Sequence, residues 1–146
     1  MVGLPGSGKT TKAKQIEKAE NALRLNADEW ILKLFGHDLS RQARDAVRSP
    51  MEAQLWEIGK HILTLGGNVI LDWGLWAKEE RDFYKKEAEK LGAKAMIIFM
   101  DAPIEELWKR VSRREESQKG TLEITREDLE SHFNYFEPPT EEELSD

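Results

Sequence analysis

The sequence predicts an α/β layer fold with a short parallel sheet, built around a phosphate-binding loop. Three observations point there. Residues Gly3 to Thr10, "GLPGSGKT", fit G-x-x-x-x-G-K-[ST] at full length. Short apolar runs alternate with helix-length amphipathic segments. At 146 residues, with 39% apolar and 34% charged residues, the chain suits one domain with its own core.

In chain order, Met1 to Gly3 reads as a strand stub running into the loop. So short a strand is expected to fold but to cost stability, because lost ladder bonds expose neighbouring backbone groups. Thr10 to Glu20 reads as the helix that the loop opens. "ALRLNAD" alternates apolar and polar residues, as a short strand entering a turn does. Asp28 to Phe35 reads as a helix stopped by Gly36. Arg41 to Leu65 is helical in period and interrupted at "SP". Ser49 as N-cap and Pro50 at the first helical position predict two helices there. "NVILD" and "AKAMIIFMD" read as buried parallel strands, each closed by an aspartate. Helices are expected from Ala77 to Leu91, from Pro103 to about Ser117, and after Thr125, with a loop around Gly120. Thr125 with Asp128 resembles a capping box. Pro138-Pro139 ends the last helix, and the acidic tail from about residue 140 reads as lacking fixed structure.

Net charge is −6, a poor balance for nucleic acid, whose binding rests largely on Lys and Arg neutralising phosphates. No apolar run approaches the roughly 20 residues that cross a bilayer. No basic start followed by an apolar stretch suggests a secretory signal, so a cytoplasmic location is expected. The absence of cysteine excludes disulfides and thiolate metal sites.

The loop carries the chemistry. Backbone N–H groups of Gly3, Leu4, Pro5, Gly6, Ser7, Gly8, Lys9, Thr10 and Thr11 (Pro5 excepted, having none) surround an anion placed at a helix N-terminus. Lys9 is expected to bridge the β- and γ-phosphates of ATP, and the Thr10 hydroxyl to coordinate Mg2+. Asp72, at the end of "NVILD", sits where a metal-facing carboxylate belongs in such folds. The helix "IEELWKRVSRR" sets Ile104, Leu107, Trp108 and Val111 on one face and Arg110, Arg113 and Arg114 on the other. Trp30, Trp73 and Trp76 follow strand ends, where ligands collect in open α/β sheets. They are candidate walls of an acceptor pocket, with Arg81 as a polar contact; Trp56 and Trp108 read as core. His37, His61 and His132 lack metal-ligand spacing.

Taken together, "GLPGSGKTT", "LNADEW", "ILDWGLW" with "ERD", "DAPIEELWKRVSRR" and "ITREDLESHFNYFEPP" occur in order over nearly the whole chain. That set resembles the small P-loop kinase-like proteins related to chloramphenicol phosphotransferase and the zeta toxins, a group carrying the AAA-family ATPase label. The resemblance implies an adenylate-kinase-like three-layer P-loop NTPase fold spanning residues 1–146. It implies ATP with Mg2+ as donor and a hydroxyl of a small molecule as acceptor: an antibiotic, a nucleoside or a nucleotide-sugar. By position it makes Asp28 the base, with Glu29 a weaker substitute, and the arginines of the 104–114 helix a phosphate clamp. It places adenine near "YFEPPT". A 5′-hydroxyl polynucleotide kinase and a nucleotide-dependent switch or ATPase module without an acceptor are the alternatives.

Overall fold

The computed structural model describes residues 1–117 and 124–145; the expected loop around Gly120 lies outside them. The element order is α1 (Lys9–Ala19), β1 (Ala22–Leu25), α2 (Ala27–Phe35), α3 (Arg41–Thr64), β2 (Asn68–Leu71), α4 (Lys78–Lys90), α5 (Ile104–Ser117), α6 (Arg126–Tyr135) and α7 (Glu141–Leu144). The chain divides into two compact units, one of Met1–Lys12 with Gly74–Asp146 and one of Ala13–Trp73.

In the unit Ala13–Trp73, β1 and β2 pair in parallel, with Ala22 opposite Asn68 and Leu25 opposite Leu71. Parallel pairing needs a crossover, and α2 and α3 supply it. Leu25, Ala27 and Leu55 form the buried centre, with Met51, Ile58, Val69, Leu71 and Trp73 packed on it. Fully burying a leucine such as Leu25 or Leu55 stabilises by about 1.5–3 kcal/mol. Gly59 lets α3 approach closely, since a Cβ there would lie 3.1 Å from Leu25 Cδ1 and 3.2 Å from Trp56 Cε3.

The two helices expected between Arg41 and Leu65 are one. α3 runs through Pro50 without a break, and its N-cap is Ser40, whose side chain accepts from the Ala43 N–H. Proline's fixed φ is compatible with helix; what Pro50 costs is its own N–H and room for the carbonyl four residues back. Helix on both sides outweighs that local loss.

In the unit Met1–Lys12 with Gly74–Asp146, Leu4, Leu107 and Leu129 form the buried centre. Trp76, Ile104, Trp108, Ile124 and Phe136 pack against them. The stub pairs in parallel through a single bridge, Val2 with Phe99. Val2 N donates to Ile98 O at 2.9 Å, and Met100 N donates to Val2 O at 2.8 Å. The expected buried strand "AKAMIIFMD" is therefore reduced to that bridge, and Met96 is 69% exposed. Hydrophobicity alone did not make a strand there, because residues 93–97 find no ladder partner among the described residues.

The C-terminal helices are set by their caps. At α6 the Thr125 hydroxyl accepts from Asp128 N while the Asp128 carboxylate accepts from Thr125 N, the capping box expected from sequence. The acidic tail is not structureless as expected. Thr140 and Glu143 close a second capping box around α7, and Glu143 pairs with buried Arg81 at 2.7 Å. Among the described residues no helix is long and apolar enough to cross a membrane.

Candidate functional site

The phosphate loop belongs to the first unit. Leu4 roots it in the core, and Ser7 N donates back to Leu4 O at 3.1 Å, closing a tight turn. Gly6 has φ 82, and a Cβ there would meet Leu107 O at 2.7 Å, so both backbone angle and space demand glycine. A Cβ on Gly3 would stand 2.6 Å from Met100 O and 2.7 Å from Ser7 Oγ. The α1 N-terminus follows, with no acidic residue in its first turn to repel an anion.

Two features mark the loop as a cradle. Ser7 is 3% exposed, and its Oγ has no hydrogen-bond partner. Native buried hydroxyls are nearly always satisfied, so an orphan at this point suits a ligand oxygen. Lys9 Nζ donates to Leu4 O at 3.0 Å, a neutral acceptor that a phosphate oxygen would outcompete for an ammonium. Thr10 is half-exposed and Thr11 exposed at the helix start.

Arg110 reaches the loop from α5. Its Nη1 donates to Gly6 O at 3.2 Å and its Nε to Glu106 Oε1 at 3.1 Å. Arg113 is exposed and Arg114 half-buried on the same helix. Trp76 packs on the core and donates Nε1 to Gly3 O at 3.2 Å. Arg81 is 4% exposed, and its guanidinium donates to Glu143 and to the carbonyls of Leu75 and Trp76. Both residues thus hold packing roles in this unit. The "YFEPPT" segment contributes Tyr135 and Glu137 to a groove of about 640 Å³ that Lys78, Phe83 and Lys86 also line.

In the unit Ala13–Trp73 a second polar cluster gathers at the ends of β1 and β2. The Asp72 side chain is fully enclosed. Its Oδ2 accepts from Arg24 Nη1 at 3.0 Å and from Asn26 Nδ2 at 3.1 Å. Its Oδ1 is buried with no hydrogen-bond partner. Arg24 also donates to Glu29 at 2.7 Å and lies 3.4 Å from Glu17. Burial alone would lower the Arg24 pKa, but hydrogen bonds and charge from Glu29 and Asp72 outweigh it and raise it. Asn26 caps α2 by accepting from Glu29 N at 2.9 Å. Asp28, in the first turn of α2, keeps its carboxylate 49% exposed and accepts from Arg48 Nη2 at 2.9 Å. Trp30 is 41% exposed on the same helix, whereas Trp73 packs on the Leu25 cluster.

Sequence reasoning missed Arg24, Asn26 and Arg48. Arg24 interrupts an apolar strand, a signal that it needs a buried partner. Nothing near Arg48 in the chain points to Asp28, twenty residues away.

Among the described residues no group of three or more His, Cys, Asp or Glu side chains could hold a metal unaided. Mg2+ is usually bound by one or two protein oxygens together with substrate phosphates. The buried, unpartnered Oδ1 of Asp72 fits such a role.

A glycine-rich loop of this conformation at a helix N-terminus, with parallel strands and a helix that sends Arg110 to the loop, defines a P-loop NTPase of kinase-like fold. The chain belongs to the AAA domain family, whose model matches residues 1–139. It is 25% identical over 127 residues to the shikimate kinase of Coxiella burnetii (strain RSA 331 / Henzerling II), covering 82% of this chain and 64% of that protein. The chain thus spans less than two-thirds, 64%, of the length of the curated relatives it matches. Among solved structures, it matches a chain of the Pnkp1/Rnl/Hen1 RNA repair complex with a TM-score of 0.71 and 29% identity, covering 92% of this chain and 42% of that one. A gluconokinase from Sinorhizobium meliloti 1021 matches with a TM-score of 0.61 and 18% identity, covering 97% of this chain and 75% of that one; at that identity it speaks to the fold.

Proposed function

We propose that the chain is an ATP- and Mg2+-dependent phosphotransferase that moves the γ-phosphate of ATP to a hydroxyl of a small molecule such as an antibiotic, nucleoside or nucleotide-sugar. The observation that carries the reading is the phosphate loop, with its buried unpartnered Ser7 hydroxyl and with Lys9 resting on a carbonyl. The likeness to shikimate kinase supports a small-molecule acceptor.

In this mechanism the loop amides and Lys9 bind the β- and γ-phosphates, and the Arg110 guanidinium neutralises charge on the transferring group. Arg113 and Arg114 extend the same basic face. Thr10 and Asp72 are the residues that would hold Mg2+, which would supply charge screening when bound. Asp28 takes the acceptor's hydroxyl proton as that oxygen attacks the γ-phosphorus and ADP leaves. Arg48 fixes the Asp28 carboxylate, and Trp30 offers an exposed aromatic wall for the acceptor.

The likeness to a chain of an RNA repair complex supports a second reading, a 5′-hydroxyl polynucleotide kinase. A screen with γ-labelled ATP against hydroxylated metabolites, antibiotics and a 5′-hydroxyl oligonucleotide separates the two. Label on a small molecule supports the first reading and label on the oligonucleotide the second. ADP formed with label only in free phosphate leaves an ATPase module and refutes both.

A further inference from the structure

Behind the phosphate loop the paired strand amounts to one bridge, at Val2. What then fixes Gly3, where the loop begins? Both polar backbone atoms of Gly3 are held by the turn at residues 74–76. Gly3 N donates to Gly74 O at 3.2 Å, and Gly3 O accepts from Trp76 Nε1 at 3.2 Å.

That turn is itself unfavourable. Leu75 has φ 50, a left-handed conformation that an apolar side chain rarely adopts, and Gly74 beside it has φ 95. Such a conformation persists where surrounding contacts over-determine it. Glu137 N donates to Trp76 O at 3.0 Å, and the remaining contacts to these carbonyls come from Arg81. Its Nη1 donates to Leu75 O at 3.0 Å and to Trp76 O at 3.1 Å. The rest of the guanidinium faces Glu143, with Nε at 2.7 Å from Oε1 and Nη2 at 3.3 Å from Oε2. Glu143 is fixed in turn, because Oε2 accepts from Thr140 N at 2.9 Å in the α7 capping box. Only a planar fork of donors can serve two carbonyls on one edge and a carboxylate on the other.

We propose that Arg81 and Glu143 are positioning residues for the phosphate loop: the ion pair locks the 74–76 turn, and the turn locks the Gly3 peptide from which the loop wraps its anion. Neither residue touches nucleotide; both act through the turn. The proposal rests on reading Gly3–Thr10 as a nucleotide site. It also gives buried Arg81 and the acidic α7 a shared purpose that packing alone would not require, since buried ion pairs are often replaceable by apolar side chains without loss of stability.

The test uses the full chain with ADP as probe, read by calorimetry, and amide hydrogen exchange without nucleotide. Ser40→Ala serves as control, since it removes the α3 N-cap in the unit Ala13–Trp73 and lowers stability outside the unit that holds the relay. Glu143→Ala is expected to weaken ADP binding about tenfold, in the range for residues that act on a site without touching the ligand. It is also expected to speed exchange in the segments holding Gly3 and Gly74. Glu143→Gln, which keeps the shape and loses the charge, should fall between Glu143→Ala and the unaltered protein, and Ser40→Ala should leave affinity and Gly3 exchange unchanged. The proposal is overturned if Glu143→Ala melts earlier, as Ser40→Ala does, yet keeps native ADP affinity and Gly3 exchange. If the unaltered protein fails to bind ADP but Glu143→Ala still speeds Gly3 exchange, the nucleotide reading fails and the anchor stands.

Discussion

Asp72→Asn probes the polar cluster where its energetics are most constrained. The Asp72 side chain is 0% exposed and that of Arg24 9% exposed, so solvent cannot repair a loss. An asparagine there has one good orientation. Its carbonyl oxygen takes the place of Oδ2, still accepting from Arg24 at 3.0 Å and Asn26 at 3.1 Å. Its NH2 then lies where Oδ1 was, a buried position at which the native carboxylate makes no hydrogen bond. The opposite orientation points NH2 at two donors and is worse. Loss of the carboxylate charge weakens both bonds, leaving only the one from Arg24 charge-assisted, at a cost of about 1–2 kcal/mol, and a buried NH2 that finds no acceptor costs about 1–2 more. The roughly 3–5 kcal/mol for breaking a buried ion pair is an upper bound, because Arg24 keeps Glu29 at 2.7 Å. The expected loss is therefore about 2–4 kcal/mol, which at about 2–4 °C per kcal/mol for a chain of this size lowers Tm by roughly 5–15 °C. Thermal melts followed by circular dichroism read this directly. A cycle with Arg24→Met should show coupling of about 1 kcal/mol or more, the double variant losing less than the sum. Asp72→Asn melting within about 1 °C of the unaltered protein, or a cycle that adds, would refute the network.

Glu143 makes stability depend on pH. Hydrogen bonds from Arg81 hold its carboxyl at about 2, below the ordinary 4.5. A depressed carboxyl stabilises the fold above its unfolded value and ceases to as pH falls through the folded one. The Tm gap between the unaltered protein and Glu143→Gln should thus be widest above about pH 5, worth about 1–2 kcal/mol once solvent screening is allowed for, and close toward pH 2; a gap that is flat across that window would contradict the pairing. Arg110→Ala should change stability by less than about 0.5 kcal/mol, its side chain being 47% exposed. The same change should cut phosphoryl transfer by about 10²-fold or more, as loss of a transition-state donor does. Unchanged transfer would remove Arg110 from the clamp.

Parts of this molecule can be read from the sequence because their causes are local. The phosphate loop is fixed by spacing, since Gly6 needs its backbone angle and the room beside Leu107. The α6 capping box lies within four residues of chain. Other features depend on distant partners. "AKAMIIFMD" has strand composition, but a strand also needs a neighbour, and only Phe99 bridges Val2. Pro50 looks like a helix start until both flanks are seen to continue α3. The acidic end looks solvated until Arg81, 62 residues away, claims Glu143. Arg24 and Asp72 are separated by 48 residues, so Asp72 could be suspected from its strand end while the guanidinium and amide that hold it could not. Tryptophans were legible as a group and not singly: Trp30 is exposed, whereas Trp73 and Trp76 pack into cores.

In the proposed function this chain transfers phosphate through its loop and one carboxylate. The most direct test is single-turnover transfer from γ-labelled ATP to whichever acceptor the screen identifies, compared among the unaltered protein, Lys9→Ala and Asp28→Asn, with ADP affinity measured alongside. Both variants should lose transfer by about 10²-fold or more, Lys9→Ala with weaker ADP binding and Asp28→Asn with ADP binding intact. Transfer that survives in Asp28→Asn, or ADP binding indifferent to Lys9→Ala, would contradict the account.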